Sequence, residues 1–253
     1  MGQSTPPADL PPSSAIATGG LHTCGLAAST GAVRCWGYNE DGQATPPADL
    51  PPSSAIAAGF YHTCAVAAST GAVRCWGASD GGQAAPPADL PPSSAIDTGT
   101  FHTCAVAAST GAVRCWGNNG YGQATPPADL PPSSAIATGF SHTCAVAAST
   151  GAVRCWGSNE YGQATPPADL PPSSAITVGD DHTCTAVAET GAVRCWGAND
   201  YAQATPPADL PPSSAIGAGA YHTCAVAAST GAVRCWGYDE FGQLTPPADL
   251  PPL

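Results

Sequence analysis

A 40-residue unit repeats six times along this 253-residue chain, and no other feature constrains the fold as much. Its core is the stretch HTCGLAASTGAVRCWG at residues 22–37, and every histidine, tryptophan, arginine and cysteine of the chain lies in one of its six copies. A unit this short cannot bury its own apolar face, so successive copies must stack on one another. We therefore expect one domain over residues 1–253, made of repeats 2–41, 42–81, 82–121, 122–161, 162–201 and 202–241 and a closing segment 242–253.

Alternating apolar residues and turn signals predict short strands within each repeat. In the second repeat these strands are 54–59, 62–67, 72–77 and a short fourth strand at 82–84. The PPADLPP segment cannot donate hydrogen bonds at its prolines, so it predicts an extended connector to the next repeat. Glycine or proline interrupts every candidate helix. The pattern predicts an all-β chain, a β-propeller of about six four-stranded blades, with a β-solenoid as the alternative.

Two motifs carry a family resemblance: AxGxxHTCA, followed by GAVRCWGxNxxGQ, whose His and Trp-Gly landmarks recur six times in register. They resemble the repeat of the regulator-of-chromosome-condensation family of propellers, and in particular its compact bacterial members, which include a propeller-type β-lactamase inhibitor. The resemblance implies a propeller but not one function, because the family includes exchange factors, enzyme inhibitors and adhesion modules. This chain departs from the family in having six repeats where seven are usual, and in its paired cysteines and PPADLPP connectors.

The two ends of the chain leave the closure of the array open. The Gly-Gln to PPADL segment occurs seven times, from 2–10 to 242–250, with Ala202 in place of the glycine in one copy, against six copies of the other strands. One end copy is expected to complete the last blade and lock a monomeric ring. Part of a longer ring, or self-association through an end segment, is the alternative.

The cysteines predict one disulfide in each repeat. A hairpin centred between Ser29 and Thr30 places Cys24 opposite Cys35, on adjacent strands and within reach of a disulfide. The equivalent pairs are Cys64–Cys75, Cys104–Cys115, Cys144–Cys155, Cys184–Cys195 and Cys224–Cys235. Reduced core thiols, or zinc bound by His-x-Cys and Cys, are the alternatives, although each repeat supplies only three zinc ligands where four are usual. Disulfides favour an extracellular, periplasmic or cell-surface location, and no signal peptide is recognisable.

The invariant polar residues predict scaffold roles rather than catalysis. His62 is expected to be hydrogen-bonded at a strand start. Arg74 and Trp76 share a strand face and are expected to pack between blades, with Arg74 paired to Asp49 or Asp89. Six copies of a catalytic triad would be unusual, so we expect no catalytic residue, no metal site and no cofactor.

Net charge excludes some classes of partner. The formal charge is −12, and the six arginines are the only basic residues besides histidine. Nucleic acids and anionic membranes attract clustered Lys or Arg, so neither is an expected partner. A protein with a basic or mixed surface is expected instead.

Two windows vary between the repeats, at residues 17–21 and 38–41 and their equivalents. In an up-and-down blade, the loop before the second strand and the loop after the third leave the sheet at the same end, so all twelve variable loops are predicted on one face. These windows contain all seven tyrosines, all four phenylalanines and ten of the eighteen acidic residues. Tyrosine with small polar and acidic residues on a rigid frame is typical of protein recognition surfaces.

The sequence therefore predicts a non-enzymatic recognition propeller, one version of which is an enzyme inhibitor. A structural or engineered repeat scaffold without a dedicated ligand and a lectin-like glycan binder are the alternatives, and drift in exposed loops would explain the variability without any function. The predicted contact residues are Tyr38, Asn39, Glu40, Asp41, Phe60, Tyr61, Asp80, Phe101, Tyr121, Phe140, Glu160, Tyr161, Asp180, Asp181, Asp200, Tyr201, Tyr221, Tyr238, Asp239, Glu240 and Phe241.

Overall fold

A computed structural model describes residues 2–247 of the chain. Eighteen strands form six antiparallel three-stranded sheets, one per repeat, each in sequential order. The strands are β1 (Ser13–Thr18), β2 (His22–Ala27), β3 (Val33–Gly37), β4 (Ser53–Ala58), β5 (His62–Ala67), β6 (Val73–Gly77), β7 (Ser93–Thr98), β8 (His102–Ala107), β9 (Val113–Gly117), β10 (Ser133–Thr138), β11 (His142–Ala147), β12 (Val153–Gly157), β13 (Ser173–Val178), β14 (His182–Val187), β15 (Val193–Gly197), β16 (Ser213–Ala218), β17 (His222–Ala227) and β18 (Val233–Gly237). Among these residues no helix has the length and apolarity of a membrane crossing.

The Gly-Gln segment is not a strand, so the prediction of four strands per repeat was wrong for the described residues. Gly82 has a φ of 80°, which a strand does not allow, and the amide of Ala85 closes a turn on its carbonyl at 3.0 Å. The segment is nevertheless attached to the sheet that follows it. The carbonyl of Gln83 accepts hydrogen bonds from the Thr103 hydroxyl and from Trp116 Nε1, both at 2.9 Å.

This attachment assigns a role to the first Gly-Gln copy. The carbonyl of Gln3 accepts from Thr23 Oγ1 and from Trp36 Nε1, again at 2.9 Å each. The Gly-Gln segments that contain Gln3 and Gln83 are therefore each attached to the hairpin that follows them. The last copy, from 242, extends beyond residue 247 and so lies partly outside the described residues.

The central hairpin of each repeat has the predicted register. In the second repeat β5 and β6 pair Cys64 with Cys75, and all their partners are related about the midpoint of the Ser-Thr-Gly turn. Gly71 in this turn has a φ of 68°, and a Cβ there would lie 3.0 Å from Pro92 Cβ and from the Ser93 amide. Only glycine avoids both penalties. The close approach lets the Gly71 carbonyl accept from the Ser93 amide at 2.8 Å, which joins the turn to the next sheet.

All twelve cysteines form the six predicted disulfides. The bridges join residues eleven apart, with Cα–Cα distances of 4.0–4.1 Å. Bonded sulfurs leave no thiolates for zinc, and the described residues contain no cluster of His, Cys, Asp and Glu that could hold a metal ion. Both alternatives, reduced thiols and zinc sites, were therefore wrong.

The chain divides into two compact units, with the boundary between Pro132 and Ser133. Within the first unit, the disulfide face of one sheet packs on the first strand and the tryptophan of the next. Cys24 and Leu26 contact Ile56 and Trp76 in this way, and Val66 contacts Ile96 one repeat later. The second unit repeats the arrangement, with Cys144 packed against Ile176 and Val178. The core is therefore a series of small-residue layers between consecutive sheets.

A buried hydrogen-bond chain accompanies this packing. His62 Nε2 lies 2.8 Å from Thr103 Oγ1 of the next repeat, and the Thr103 hydroxyl donates to the Gln83 carbonyl. Because that hydroxyl has a single hydrogen, the ring must donate through Nε2, which defines the neutral tautomer. The equivalent pairs are His22–Thr63, His142–Thr183 and His182–Thr223, at 2.7–2.9 Å. The predicted scaffold role of histidine is confirmed, and its partner is a threonine 41 residues ahead.

The histidine rings also explain the one invariant position of the first variable window. A Cβ on Gly59 would lie 2.6 Å from His62 Cε1, and the Gly59 amide donates to the His62 carbonyl at 2.9 Å. No side chain fits between this backbone and the ring. Glycine is therefore required there by packing.

The arginines do not pack between blades, so that prediction was wrong. Arg74 Nη2 lies 3.2 Å from Asp49 Oδ1, as proposed for the pairing, but nearly half of the Arg74 side chain is exposed. Trp76 is buried and donates Nε1 to the Gln43 carbonyl. Exposed ion pairs of this kind add little to stability, so the tryptophan is the more important residue of this strand for folding.

Candidate recognition surface

The two variable windows of each repeat lie side by side. In the second repeat the amide of Ala78, which follows β6, donates to the carbonyl of Tyr61, which precedes β5, at 2.9 Å. The other five repeats have the same bond, at 2.8–2.9 Å. We call the segments 17–21 and 38–41 and their equivalents the variable loops. Within each repeat, the prediction that both loops leave the sheet at one end is confirmed.

One predicted contact residue has a structural role within its loop. Asn39 Nδ2 donates to Thr45 Oγ1, and Asn39 Oδ1 accepts from the Ala44 amide, both at 2.8 Å. Asn119, Asn159 and Asn199 repeat this pattern. Both side-chain groups of Asn39 are therefore used in holding the loop. Asn39 is exposed, and its contact with a partner stays a prediction.

Aromatic side chains from adjacent repeats meet in the first unit. The rings of Phe60 and Tyr61 are 4.5 Å apart, and those of Tyr61 and Phe101 are 6.3 Å apart. A Cβ on Gly20 would lie 2.4 Å from the Phe60 ring, so the ring lies over the loop of the first repeat. We call Phe60, Tyr61 and Phe101 the first aromatic cluster. All three are half-buried.

A larger group forms in the second unit from three loops of the last two repeats. Tyr201 lies 5.7 Å from Tyr221 and 4.9 Å from Tyr238, and Tyr238 lies 6.1 Å from Phe241, between ring centroids. The rings meet edge to face, the favoured geometry for aromatic pairs. We call Tyr201, Tyr221, Tyr238 and Phe241 the second aromatic cluster. Exposure of 48% for Tyr201, 44% for Tyr221 and 85% for Phe241 leaves much of it open to solvent.

Acidic side chains border the second aromatic cluster. Burial, followed by repulsion from Asp181, raises the pKa of Asp180 to about 6. The pKa of Asp181 is raised by burial and by Glu160, against a hydrogen bond from Gln163 Nε2 to its Oδ1 at 3.1 Å. The charge of Asp180 is in turn the largest cause of a raised pKa at Tyr221. Negative charge is thus held beside the rings at an energetic cost that a cation would relieve.

Two tyrosines in equivalent loops have different surroundings. Tyr38 donates its hydroxyl to Glu40 Oε2 at 2.8 Å, and Tyr238 donates to Glu240 Oε2. The hydrogen bond to Glu240 is the main reason that the pKa of Tyr238 is raised to about 12. Only Tyr238 of the two belongs to an aromatic cluster.

The remaining predicted contact residues lie on the loop surfaces. Tyr121, Phe140 and Tyr161 are exposed, as are Asp80, Glu160, Asp200, Asp239 and Glu240. Their contact with a partner stays a prediction, and the sequence did not predict that rings of the variable loops form two aromatic clusters. Ring contacts depend on side-chain directions at separations such as 17 residues between Tyr221 and Tyr238, for which the repeat pattern holds no signal.

The family model of the regulator of chromosome condensation (RCC1) repeat matches residues 14–43, 54–83, 94–123, 134–163, 174–203 and 214–243. The chain therefore belongs to the RCC1 repeat family, and the predicted β-propeller class is confirmed. A search of curated proteins found no significant match.

Three solved structures show the likeness of fold. The ectodomain of the Physcomitrella patens receptor kinase CR4 is 26% identical with a TM-score of 0.78, over 90% of this chain and 62% of that one. Human WBSCR16 is 18% identical with a TM-score of 0.79, over 92% and 79%. Prp20p from Saccharomyces cerevisiae is 19% identical with a TM-score of 0.76, over 89% and 72%. The chain thus spans less than two thirds of the CR4 ectodomain.

Proposed function

We propose that this chain is a non-enzymatic recognition protein whose variable loops bind a protein with a basic or mixed surface. The observation that carries the proposal is the second aromatic cluster, in which exposed rings from three loops meet beside Asp180 and Asp181. Exposed aromatic groups of this kind supply most of the affinity at many protein interfaces. Drift in loops would vary these residues without bringing the rings into contact.

The acidic border supports the choice of a basic partner. An arginine or lysine over the tyrosine faces would gain a cation–π contact and an ion pair with the same carboxylates. Prp20p, whose fold is similar, has binding properties toward Gsp1p and histones, and yeast RCC1 has been solved with Kap60 bound. Those partners belong to those proteins. They support the view that this fold can present a protein-binding surface.

Inhibition of an enzyme is one form that such binding would take. A rigid face of loops can cover an active site without any group that reacts. We also propose an oxidising compartment, outside the cell or in the periplasm. The six disulfides support this, as does the similarity to two plant receptor ectodomains.

Replacing one ring of the cluster should weaken binding strongly. We expect that selecting a displayed random peptide library for binding to the chain will enrich peptides that contain arginine, lysine and aromatic residues. Tyr238→Ala should then weaken the affinity of the enriched peptides at least about tenfold, the effect of losing one central aromatic contact. Fluorescence anisotropy with labelled peptides provides the measurement.

Tyr38→Ala is the matched control, because Tyr38 has the same loop position and the same bond to a glutamate two residues later. It should leave the affinity within about twofold. Enriched peptides that bind the Tyr238→Ala and Tyr38→Ala chains equally well would contradict the proposal. Failure to enrich any peptide, together with specific signals on a glycan array, would favour the lectin alternative.

The same peptides should bind more tightly as the pH rises from 5 to 7. The carboxyl of Asp180, with a pKa of about 6, gains its charge over this interval. Asp180→Asn should remove most of the pH dependence and bind at pH 7 as weakly as the original chain does at pH 5. Equal pH profiles for both chains would show that Asp180 does not contact the cationic part of the peptide.

A further inference from the structure

The first sheet exposes a surface that is buried in the sheets after it. Ile16 on β1 is 64% exposed, whereas the equivalent Ile96 on β7 is 8% exposed. Trp36 is half-buried, whereas Trp76 and Trp116 are buried. In the second and third repeats these positions are covered by the disulfide face of the preceding sheet. We call the surface formed by Leu10, Ile16 and Trp36 the β1 face.

The last sheet exposes the opposite half of the same interface. Cys224 and Val226 on β17 are half-buried, whereas Cys64 and Val66 are fully buried under Ile96 of the following sheet. His222 is half-buried too, whereas His62 is fully buried and bonded to the threonine of the following repeat. We call the surface formed by His222, Cys224 and Val226 the β17 face.

The two faces are complementary because the repeats are nearly identical. Inside the first unit, Cys24 and Leu26 receive Ile56 and Trp76. By the same geometry, Cys224 and Val226 would receive Ile16 and Trp36. The Thr23 hydroxyl donates to the Gln3 carbonyl, as the Thr63 hydroxyl does to the Gln43 carbonyl. The Thr23 oxygen can therefore accept a hydrogen bond from a histidine, as the Thr63 oxygen does from His22.

We propose that the chain associates head to tail, with the β17 face of one copy packed on the β1 face of a second copy. His222 of one copy donates to Thr23 of the other, and Ile16 enters the layer between Cys224 and Val226. The contact reproduces the interface already present between consecutive repeats. The residues that define the two faces carry no charged side chain, and a pair of copies joined by one contact retains one free face of each kind.

The chemistry of the faces selects a second copy over an unrelated partner. Each face has the shape and hydrogen-bond partners of a repeat of this chain, and both halves occur on one molecule. A head-to-tail contact gives a closed ring where the rotation between copies closes and an open chain of copies where it does not, and either assembly contains at least two copies. With a net charge of −12 on each copy, salt should favour association by screening repulsion.

Sedimentation velocity over about a hundredfold range of concentration tests this proposal. The mean mass of the original chain should rise from 24.9 kDa to at least about twice that value, and further in higher salt. Ile16→Asp and Val226→Asp should each remain monomeric alone, because each removes one face. Mixed together they should form a dimer that grows no further, because each variant retains the face that the other lacks.

Two controls keep the test independent of misfolding. Thr30→Asp, in the exposed turn at the opposite end from the variable loops, should associate as the original chain does. Ile16→Asp alters an exposed residue and should keep the original circular dichroism spectrum, and its intact β17 face should cap the original chain and lower its mean mass.

The proposal would be overturned by a mass of 24.9 kDa for the original chain at every concentration. Association of Val226→Asp alone would show that two β1 faces meet, and would overturn the head-to-tail arrangement. Peptide binding at the variable loops weakens with salt whereas this association strengthens, so failure of either proposal leaves the other testable.

Discussion

Lowering the pH from 7 to 5 is expected to remove several kcal/mol from the free energy of unfolding, because the buried histidines must accept protons. Burial lowers the pKa of His22, His102 and His182 to about 4. Burial, followed by repulsion from His102 and His22, lowers that of His62 to about 3. In the unfolded chain a histidine has a pKa of about 6.5.

The difference between the folded and the unfolded histidine pKa gives the direction in which stability changes with pH. Between about pH 6.5 and 4 the unfolded chain binds more protons than the folded chain, so stability falls as the pH falls. The stabilisation is fully present above the unfolded pKa and is lost toward the folded one. Each such histidine contributes a loss of about 2 kcal/mol at pH 5, and four together about 8 kcal/mol. The raised pKa of Asp180 acts in the opposite direction and offsets about 1 kcal/mol.

The geometry of the histidine site explains why protonation is costly. Nε2 already donates to threonine, so the added proton must go to Nδ1. In His22, His62 and His182 that nitrogen is buried without a hydrogen-bond partner. The glycine three residues before each ring lies close to it, because a Cβ on that glycine would lie within 3.0 Å of Nδ1. An imidazolium there would be a buried and poorly solvated charge.

Guanidinium chloride unfolding at pH 7, 6 and 5, with disulfides intact, measures this effect. The midpoint should fall steeply, and His62→Gln should reduce the slope with pH by about a quarter, one of four equivalent terms. His222→Gln is the control, because His222 is half-buried and Asp239 partly offsets the lowering of its pKa. A midpoint that does not change between pH 7 and 5 would contradict the lowered pKa of the buried histidines.

Reduction of the disulfides should unfold the chain at neutral pH. A bridge that closes about a dozen residues stabilises the fold by about 3 kcal/mol in the chain-entropy model. Six such bridges together exceed the ~5–15 kcal/mol by which domains are usually stable. The core layers consist mainly of small residues, so apolar burial adds too little stability to compensate for the loss of the six disulfides. Loss of the β-sheet circular dichroism signal in reductant would confirm this, and mass spectrometry would count twelve new thiols.

The six bridges should not be reduced at the same rate. Cys224 is half-buried, whereas Cys24, Cys64, Cys104, Cys144 and Cys184 are fully buried. We expect Cys224–Cys235 to open first, which alkylation and peptide mapping after brief reduction would show. As a matched comparison, Cys224→Ser with Cys235→Ser should destabilise the chain less than Cys64→Ser with Cys75→Ser. Simultaneous opening of all six would indicate a cooperative unfolding that exposes every bridge together.

Local patterns in the sequence were sufficient for the elements of each repeat. The second strand was predicted with its observed bounds, and the first and third within one residue at each end. The cysteine pairing followed from hairpin register alone, because residues facing each other across a tight turn are related by simple arithmetic. These features depend on contacts within about a dozen residues.

Sequence patterns did not correctly predict features that depend on contacts between residues far apart along the chain. The Gly-Gln segment was predicted as a strand, but Gly82 turns the backbone and the segment is held by Thr103 and Trp116 instead. Arg74 was placed between blades, but the blade interface is apolar and its charge remains in solvent with Asp49.

Sequence patterns alone were enough to predict the repeat, the disulfide-linked hairpin, the propeller class and the positions at which the repeats differ. Each of these features depends on the spacing of residues along the chain, and the six copies of the unit make that spacing evident. Contacts between the folded sheets were needed to show that His22, His62, His142 and His182 are each held by a threonine 41 residues ahead. They were also needed to show that rings from separate loops form two clusters. The tertiary structure also decided that the first and last sheets expose matching halves of one interface. Burial and side-chain direction set these contacts, and both arise only when the sheets are stacked.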